Sequence, residues 1–179
     1  MKKRLLIALT GACAAALVGC SSINTALNTS KQPSLEKLTP PSGQAFLTLE
    51  GSGIQVFRCA ADSKGSYWRF EQPQAKLKDK NGEVVAELSG PMNAFEYKDG
   101  SRIISSHIIA WVDPANPQKD NKYALMKAVS DPGTGVFNGV KYIQRLKPEG
   151  GMPNSNGCTP SEAGKLLKVP FSAEYVFWK

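Results

Sequence analysis

Histidine is almost missing from this sequence: His107 is the single imidazole in 179 residues. That scarcity nearly excludes a zinc site of the Cys/His kind, which takes about four such ligands. It also leaves a Ser–His–Asp triad only one candidate base. Ser105 and Ser106 precede His107 on the same strand-like run, where neighbours diverge or point to opposite faces, and no G-x-S-x-G elbow occurs. The 15 acidic residues supply no marked pair for glycosidase chemistry. Glu50, Glu71, Asp79, Glu96, Asp99 and Glu174 sit beside turns or alternate outward, as on a solvated face. No stripe of Lys/Arg interleaved with aromatics marks a nucleic-acid surface. The sequence therefore assigns no catalytic residue, no metal and no cofactor, and no nucleic-acid partner is expected.

A long apolar run is also absent. The longest, Leu5 to Val18, is broken by Thr10 and Gly11. At about 1.5 Å per residue it spans ~21 Å, short of the ~30 Å hydrocarbon core of a bilayer. With Lys2, Lys3 and Arg4 in front of it, the run reads as a signal peptide. Its end, "LVGC" (Leu17 to Cys20), resembles a bacterial lipobox, in which the chain is cut before the cysteine and the cysteine is lipidated. The expected organisation is a lipoprotein signal peptide over residues 1–19, a lipidated flexible tether over 20–42 and a β-rich domain over 43–179. Several acyl chains of the palmitate type on Cys20, each buried methylene contributing about 0.8 kcal/mol, would hold the protein at a membrane without a spanning helix. Ser21 follows the cysteine where the resembling pattern uses Asp for inner-membrane retention. The expected location is the cell envelope, lipid-anchored at the outer membrane and facing the periplasm or cell surface.

Removing residues 1–19 takes three basic residues and no acid, so a net charge of +7 falls to +4. A modest excess spread along the chain reads as a solvated basic surface. Of four cysteines, Cys13 leaves with the signal and Cys20 takes lipid. Cys59 and Cys158 remain, and in an oxidising compartment they most economically form one disulfide. Closing a loop of roughly 100 residues would contribute up to ~4.7 kcal/mol on chain-entropy reasoning.

Residues 21–42, "SSINTALNTSKQPSLEKLTPPS", are polar, with three prolines and room for one helical turn at Leu35 to Leu38. Beyond them the hydrophobic period is mostly two. "QAFLTLE" and "GIQVFRC" read as strands joined or bent at Gly51-Ser52-Gly53. The glycines there are no phosphate loop, because a third glycine, a following helix and a lysine are all wanting. "AKLKDKNGEVVAEL" reads as a hairpin with a type I′ turn at Asn81-Gly82, and Asp99-Gly100 marks a second turn. In "RIISSHIIAWV", Ile104, Ile108, Ala110 and Val112 would share one face and Ile103, His107, Ile109 and Trp111 the other, which predicts a buried central strand. "NKYALMKAVS" (Asn121 to Ser130) fits a helix or a short strand. In the last run Val169, Phe171, Ala173, Tyr175 and Phe177 alternate with Pro170, Ser172 and Glu174. Short strands at intervals of about ten residues predict a single-domain, mostly antiparallel all-β sandwich or barrel, with long Pro/Gly loops and at most one or two short helices.

Trp68, Trp111 and His107 are the candidate ligand surface, with Trp178, Phe70, Tyr97, Tyr142 and Tyr175 as further aromatic candidates, set against the alternative that the aromatics fill the core. Several segments together resemble a family of secreted bacterial and fungal proteins, the domain of unknown function 3455. They are "GIQVFRC" (Gly53 to Cys59), Trp68 with "FEQPQAKLKDKNGEVV" (Phe70 to Val85), Gly90-Pro91, Asp99 to Ser101, "GVKYIQRL" (Gly139 to Leu146), Gly150-Gly151, Cys158 and "VPFSAEYVF" (Val169 to Phe177). The chain departs from the pattern at "AELSGPMNAFE" and "KYALMKA", so family residues at those places are not carried over. The resemblance implies a β-rich extracytoplasmic domain and supplies no activity. The functional expectation is a non-catalytic binding or envelope-structural module whose partner is a protein or small molecule. Alternatives are a lysozyme-inhibitor-like lipoprotein, suggested by Phe57-Arg58-Cys59 with a late Cys158, and an unrecognised hydrolase.

Overall fold

The computed structural model describes residues 35–179; the expected signal peptide, Cys20 and most of the expected tether lie outside the described residues. Eight antiparallel strands follow one another in chain order and close into a barrel. They are β1 (Ala45–Asp62), β2 (Gly65–Lys78), β3 (Val84–Ser89), β4 (Ala94–Tyr97), β5 (Arg102–Trp111), β6 (Tyr123–Ser130), β7 (Tyr142–Gly150) and β8 (Leu166–Trp178). One helical turn, α1 (Leu35–Leu38), precedes the barrel and a single 3-10 turn (Pro160–Glu162) lies in the β7–β8 connection. Closure removes the open sheet edges of a sandwich, and β1 and β8 form the closing ladder from Leu47↔Phe177 to Arg58↔Leu166. No helix among the described residues is long and apolar enough to cross a membrane.

The two glycines of "GSG" do not bend or interrupt the chain: β1 is one strand of 18 residues, and its ladder with β8 runs through both without a shift. Their role is close packing. A Cβ on Gly51 would lie 2.7 Å from the Tyr175 ring, and one on Gly53 would lie 2.0 Å from the Gln74 carbonyl oxygen. The bulge is on β2 instead, where Val56 pairs with Gln72 and Phe57 with Phe70, leaving Glu71 unpaired. The β2–β3 connection is a five-residue loop, not a two-residue type I′ turn. Asp79 organises it by accepting hydrogen bonds from the backbone N–H groups of Asn81 and Glu83, and only Gly82 has positive φ. Residues 123–130 form strand β6, with sheet partners on both sides overriding the helical preference of its Ala, Leu, Met and Lys residues.

Alternation on β8 follows the sequence reading: Phe171, Ala173, Tyr175 and Phe177 are buried, although Val169 is only half-buried. Strand β5 does not follow it. A shift between His107 and Ile109 puts Ile108 out of register, so His107 and Ala110, both solvent-exposed, border the open cavity while Ile109 and Trp111 face outward. The outer half of β5 is exposed, Ile108 to 51%. The cause is its neighbour: β4 has four residues and pairs with β5 only at Phe95↔Ile103 and Glu96↔Arg102.

The interior is packed at one end. Leu49, Leu77, Phe95, Ile103, Ile143 and Phe177 are buried there, and Phe137 enters from the β6–β7 loop to stack on Phe177 at 4.8 Å between ring centroids. Asp99 secures that plug. Its carboxylate accepts hydrogen bonds from the Ser101 hydroxyl and, at 2.7 Å, from the Val136 N–H, and these hold it below the usual carboxylate range. A second, smaller core lies outside the wall, where Leu38 of α1 packs with Tyr123 and Leu125 and against Trp111, Tyr142 and Leu146.

Candidate functional site: a cavity in the open half of the barrel

At the other end the β3–β4 hairpin stops short, turning at Gly90–Asn93, while β1, β2, β5 and β8 run on past it. A cavity of about 410 Å³, open to solvent, occupies this half. That volume falls within the range of small-molecule sites. Phe57 of β1 and Phe70 of β2 meet edge to face at 5.7 Å on one wall, and Phe171 of β8 lines another. Leu88 and Asn93 border it from the short hairpin, His107 and Ala110 from β5, and Met152 from the β7–β8 connection.

Into this apolar space projects Arg145. It sits on β7 two residues after the core residue Ile143, so the period of two aims it inward. Its cross-strand neighbours are Ala124 on β6 and Tyr175 on β8. Only 8% of Arg145 is exposed. Its Nε donates to the Lys122 carbonyl oxygen at 2.7 Å, and its Nη2 lies 3.3 Å from His107 Nε2. None of the ion pairs among the described residues includes it. Burial pushes its pKa down, with the neighbouring Tyr175 hydroxyl opposing the shift, yet a guanidinium remains charged.

The groups around Arg145 are short of partners. The Tyr175 hydroxyl lies beside it, fully buried, its oxygen against the guanidinium and its proton without an acceptor. Burial pushes that phenol pKa up, so it is neutral and carries a proton to donate. The Asn121 side-chain oxygen accepts from the Lys122 N–H, while its amide nitrogen is buried and unpartnered. Gln55 is buried on the same cavity wall. The β2 bulge sharpens the imbalance. Unbroken alternation from Pro73 would aim Glu71 inward, but the bulge turns it outward onto Arg58 and Arg69, at 3.2 and 3.0 Å. The cavity thus holds a buried cation and spare donors, and the nearest acid on β2 is withdrawn from it.

Of Trp68, Trp111 and His107, only His107 lines the cavity, together with Phe70 and Tyr175 of the wider aromatic set. Trp111 belongs to the outer core, 5.5 Å from the Tyr123 ring, because the β5 shift turns it outward. Trp68 lies near the far end of β2, donating to the Asn156 carbonyl oxygen at 3.4 Å. His107 faces a guanidinium rather than a serine and an acid: Ser105 Oγ donates to the Asn93 carbonyl oxygen, and Asp99 is engaged at the packed end. Cys59 and Cys158 form the expected disulfide, pinning the β7–β8 connection to β1 near the cavity. No cluster of three or more metal-binding side chains occurs among the described residues. Sequence reasoning missed Arg145. The available signal was an arginine sharing the parity of Ile143 in "YIQRL".

A family model described as a protein of unknown function (DUF3455) matches residues 40–179. No curated protein matches the chain, and no solved structure does.

Proposed function

The chain belongs to the DUF3455 family, which prescribes no activity, and from the cavity geometry we propose a non-catalytic barrel that takes a small molecule into its open half. The observation that carries this reading is the pairing of an aromatic-walled cavity of about 410 Å³ with buried donors, the Asn121 amide nitrogen and the Tyr175 hydroxyl, left without acceptors inside it. An eight-stranded barrel has an interior wide enough to hold one small ligand when side chains do not fill it. Here they fill one half and leave the other. The lipobox resemblance at Leu17 to Cys20 supports carriage on a lipid anchor at the cell envelope, with the barrel standing off the membrane on residues 20–42.

The neutral dye Nile red tests the cavity. The purified full chain is expected to show a saturable fluorescence increase that Ala110→Trp, placed at the mouth, removes while leaving the circular dichroism spectrum unchanged. Equal saturable binding by both chains would discard the cavity. For the anchor, Cys20→Ala should abolish labelling by radioactive palmitate and shift the protein from the membrane fraction to the soluble one. Unchanged labelling would discard Cys20 as the lipid site.

A further inference from the structure

We infer that the ligand is an organic monocarboxylate with an apolar body, its carboxylate seated on Arg145 and its body against Phe57, Phe70 and Phe171. This rests on the cavity reading above and gives it a chemical class.

The argument is one of charge and donor count. A guanidinium offers five N–H donors in a planar fork that matches a carboxylate. Arg145 uses Nε on the Lys122 carbonyl oxygen, directs Nη2 at His107 and meets the Tyr175 hydroxyl, but no carboxylate takes its fork among the described residues. A buried charge without a counter-charge is costly to the fold, and it persists where binding supplies the missing partner. The flanking groups are of the same kind. The Tyr175 hydroxyl and the Asn121 amide nitrogen are buried donors without acceptors, and both line this cavity. Asn121 is tied to the arginine through Lys122, and Tyr175 is its cross-strand neighbour. Donors around a buried cation fit an anion. One buried cation among three phenylalanines fits a single negative charge with an apolar remainder, better than a dianionic phosphate monoester. Lys122 also lines the cavity but is exposed, and so contributes to attraction at the mouth more than to the buried seat.

Calorimetric titration of the full chain with octanoate, octanol and octyl phosphate tests this. Octanoate is expected to bind about tenfold or more tightly than octanol, the scale of a charge-assisted hydrogen bond. Arg145→Met should abolish that preference while octanol binding persists. Tyr175→Phe removes only the hydroxyl and should weaken octanoate several-fold without affecting octanol. It therefore keeps the question answerable if Arg145→Met does not fold. Equal affinity for octanoate and octanol, tighter binding of octyl phosphate, or an octanoate preference that survives both substitutions would overturn the carboxylate assignment. So would a failure of octanoate to bind where Nile red does. Failure of Nile red and of every octyl compound would instead overturn the cavity reading itself.

Discussion

The two halves of one barrel interior differ in what the same strands put into them. At the end closed by Phe137, β8 contributes Phe177, β7 Ile143 and β6 Met126, and the space is filled. Further along the same strands, β8 contributes Tyr175 and Phe171, β7 Arg145 and β6 Ala124, and a cavity is left. The ladders run from one half into the other, with the register shifts at Glu71 and Ile108 both in the open half, so the division arises from side chains, from those shifts and from the short β3–β4 hairpin. Aromatic packing is concentrated in one half, and in the other the Tyr175 hydroxyl proton and the Asn121 amide nitrogen go without an acceptor.

Truncation of the packed half should have the largest effect. Phe177 is wholly buried and touches Phe95 edge to face at 5.5 Å as well as Phe137. Phe177→Ala should cost about 3–5 kcal/mol in urea unfolding, because the sealed site cannot collapse. Phe171→Ala enlarges a space already open to solvent, and should cost at least ~1 kcal/mol less. Equal losses would mean that the cavity is as tightly packed as the plugged end.

Gly51 joins the halves, since its missing side chain makes room for the Tyr175 ring. Gly51→Ala would force that ring toward the cavity, and overpacking of this kind costs about 1–3 kcal/mol. Nile red binding should weaken with it. A stable variant with unchanged dye binding would show that the ring has another place to go.

These particulars also mark what the sequence disclosed. Strand alternation in "VPFSAEYVF" and the lone Cys59–Cys158 partnership were readable because periodicity and pairing by exclusion need no tertiary knowledge. The register shifts at Glu71 and Ile108 were not. One extra residue leaves no compositional trace, yet it decides which side chains face inward for the rest of the strand. For that reason Trp111 was assigned to a ligand surface it does not join, and the outward turn of Glu71 was invisible. Barrel against sandwich was equally undecided, because closure depends on β1 meeting β8 across nearly the whole chain.

Arg145→Met should move stability the other way. It removes a buried cation without a counter-charge at the expense of the hydrogen bond to the Lys122 carbonyl and the contacts with His107 and the Tyr175 hydroxyl, for a net gain of about 1 kcal/mol in urea unfolding. A loss of that size instead would show that the guanidinium serves the fold, and the contrast between the halves would fail.

The smallest effect belongs to His107, which reports on the open half alone. Burial, then the charges of Arg145 and Lys122, hold its pKa below the ordinary 6.5 in the folded barrel. The unfolded chain therefore binds the proton first as pH falls. Stability from neutral His107 is fully present above about 6.5, is lost as pH drops below that value, and levels off beneath the depressed folded pKa. Since no other histidine is present, a step in the urea midpoint between about pH 7.5 and pH 5.5 belongs chiefly to this ring. His107→Gln should flatten it. Bound octanoate should shrink it too, because a carboxylate on Arg145 offsets the positive charge that disfavours protonation of His107. A step that survives His107→Gln would place the titrating group elsewhere. One that octanoate leaves untouched would separate the histidine from the proposed anion seat.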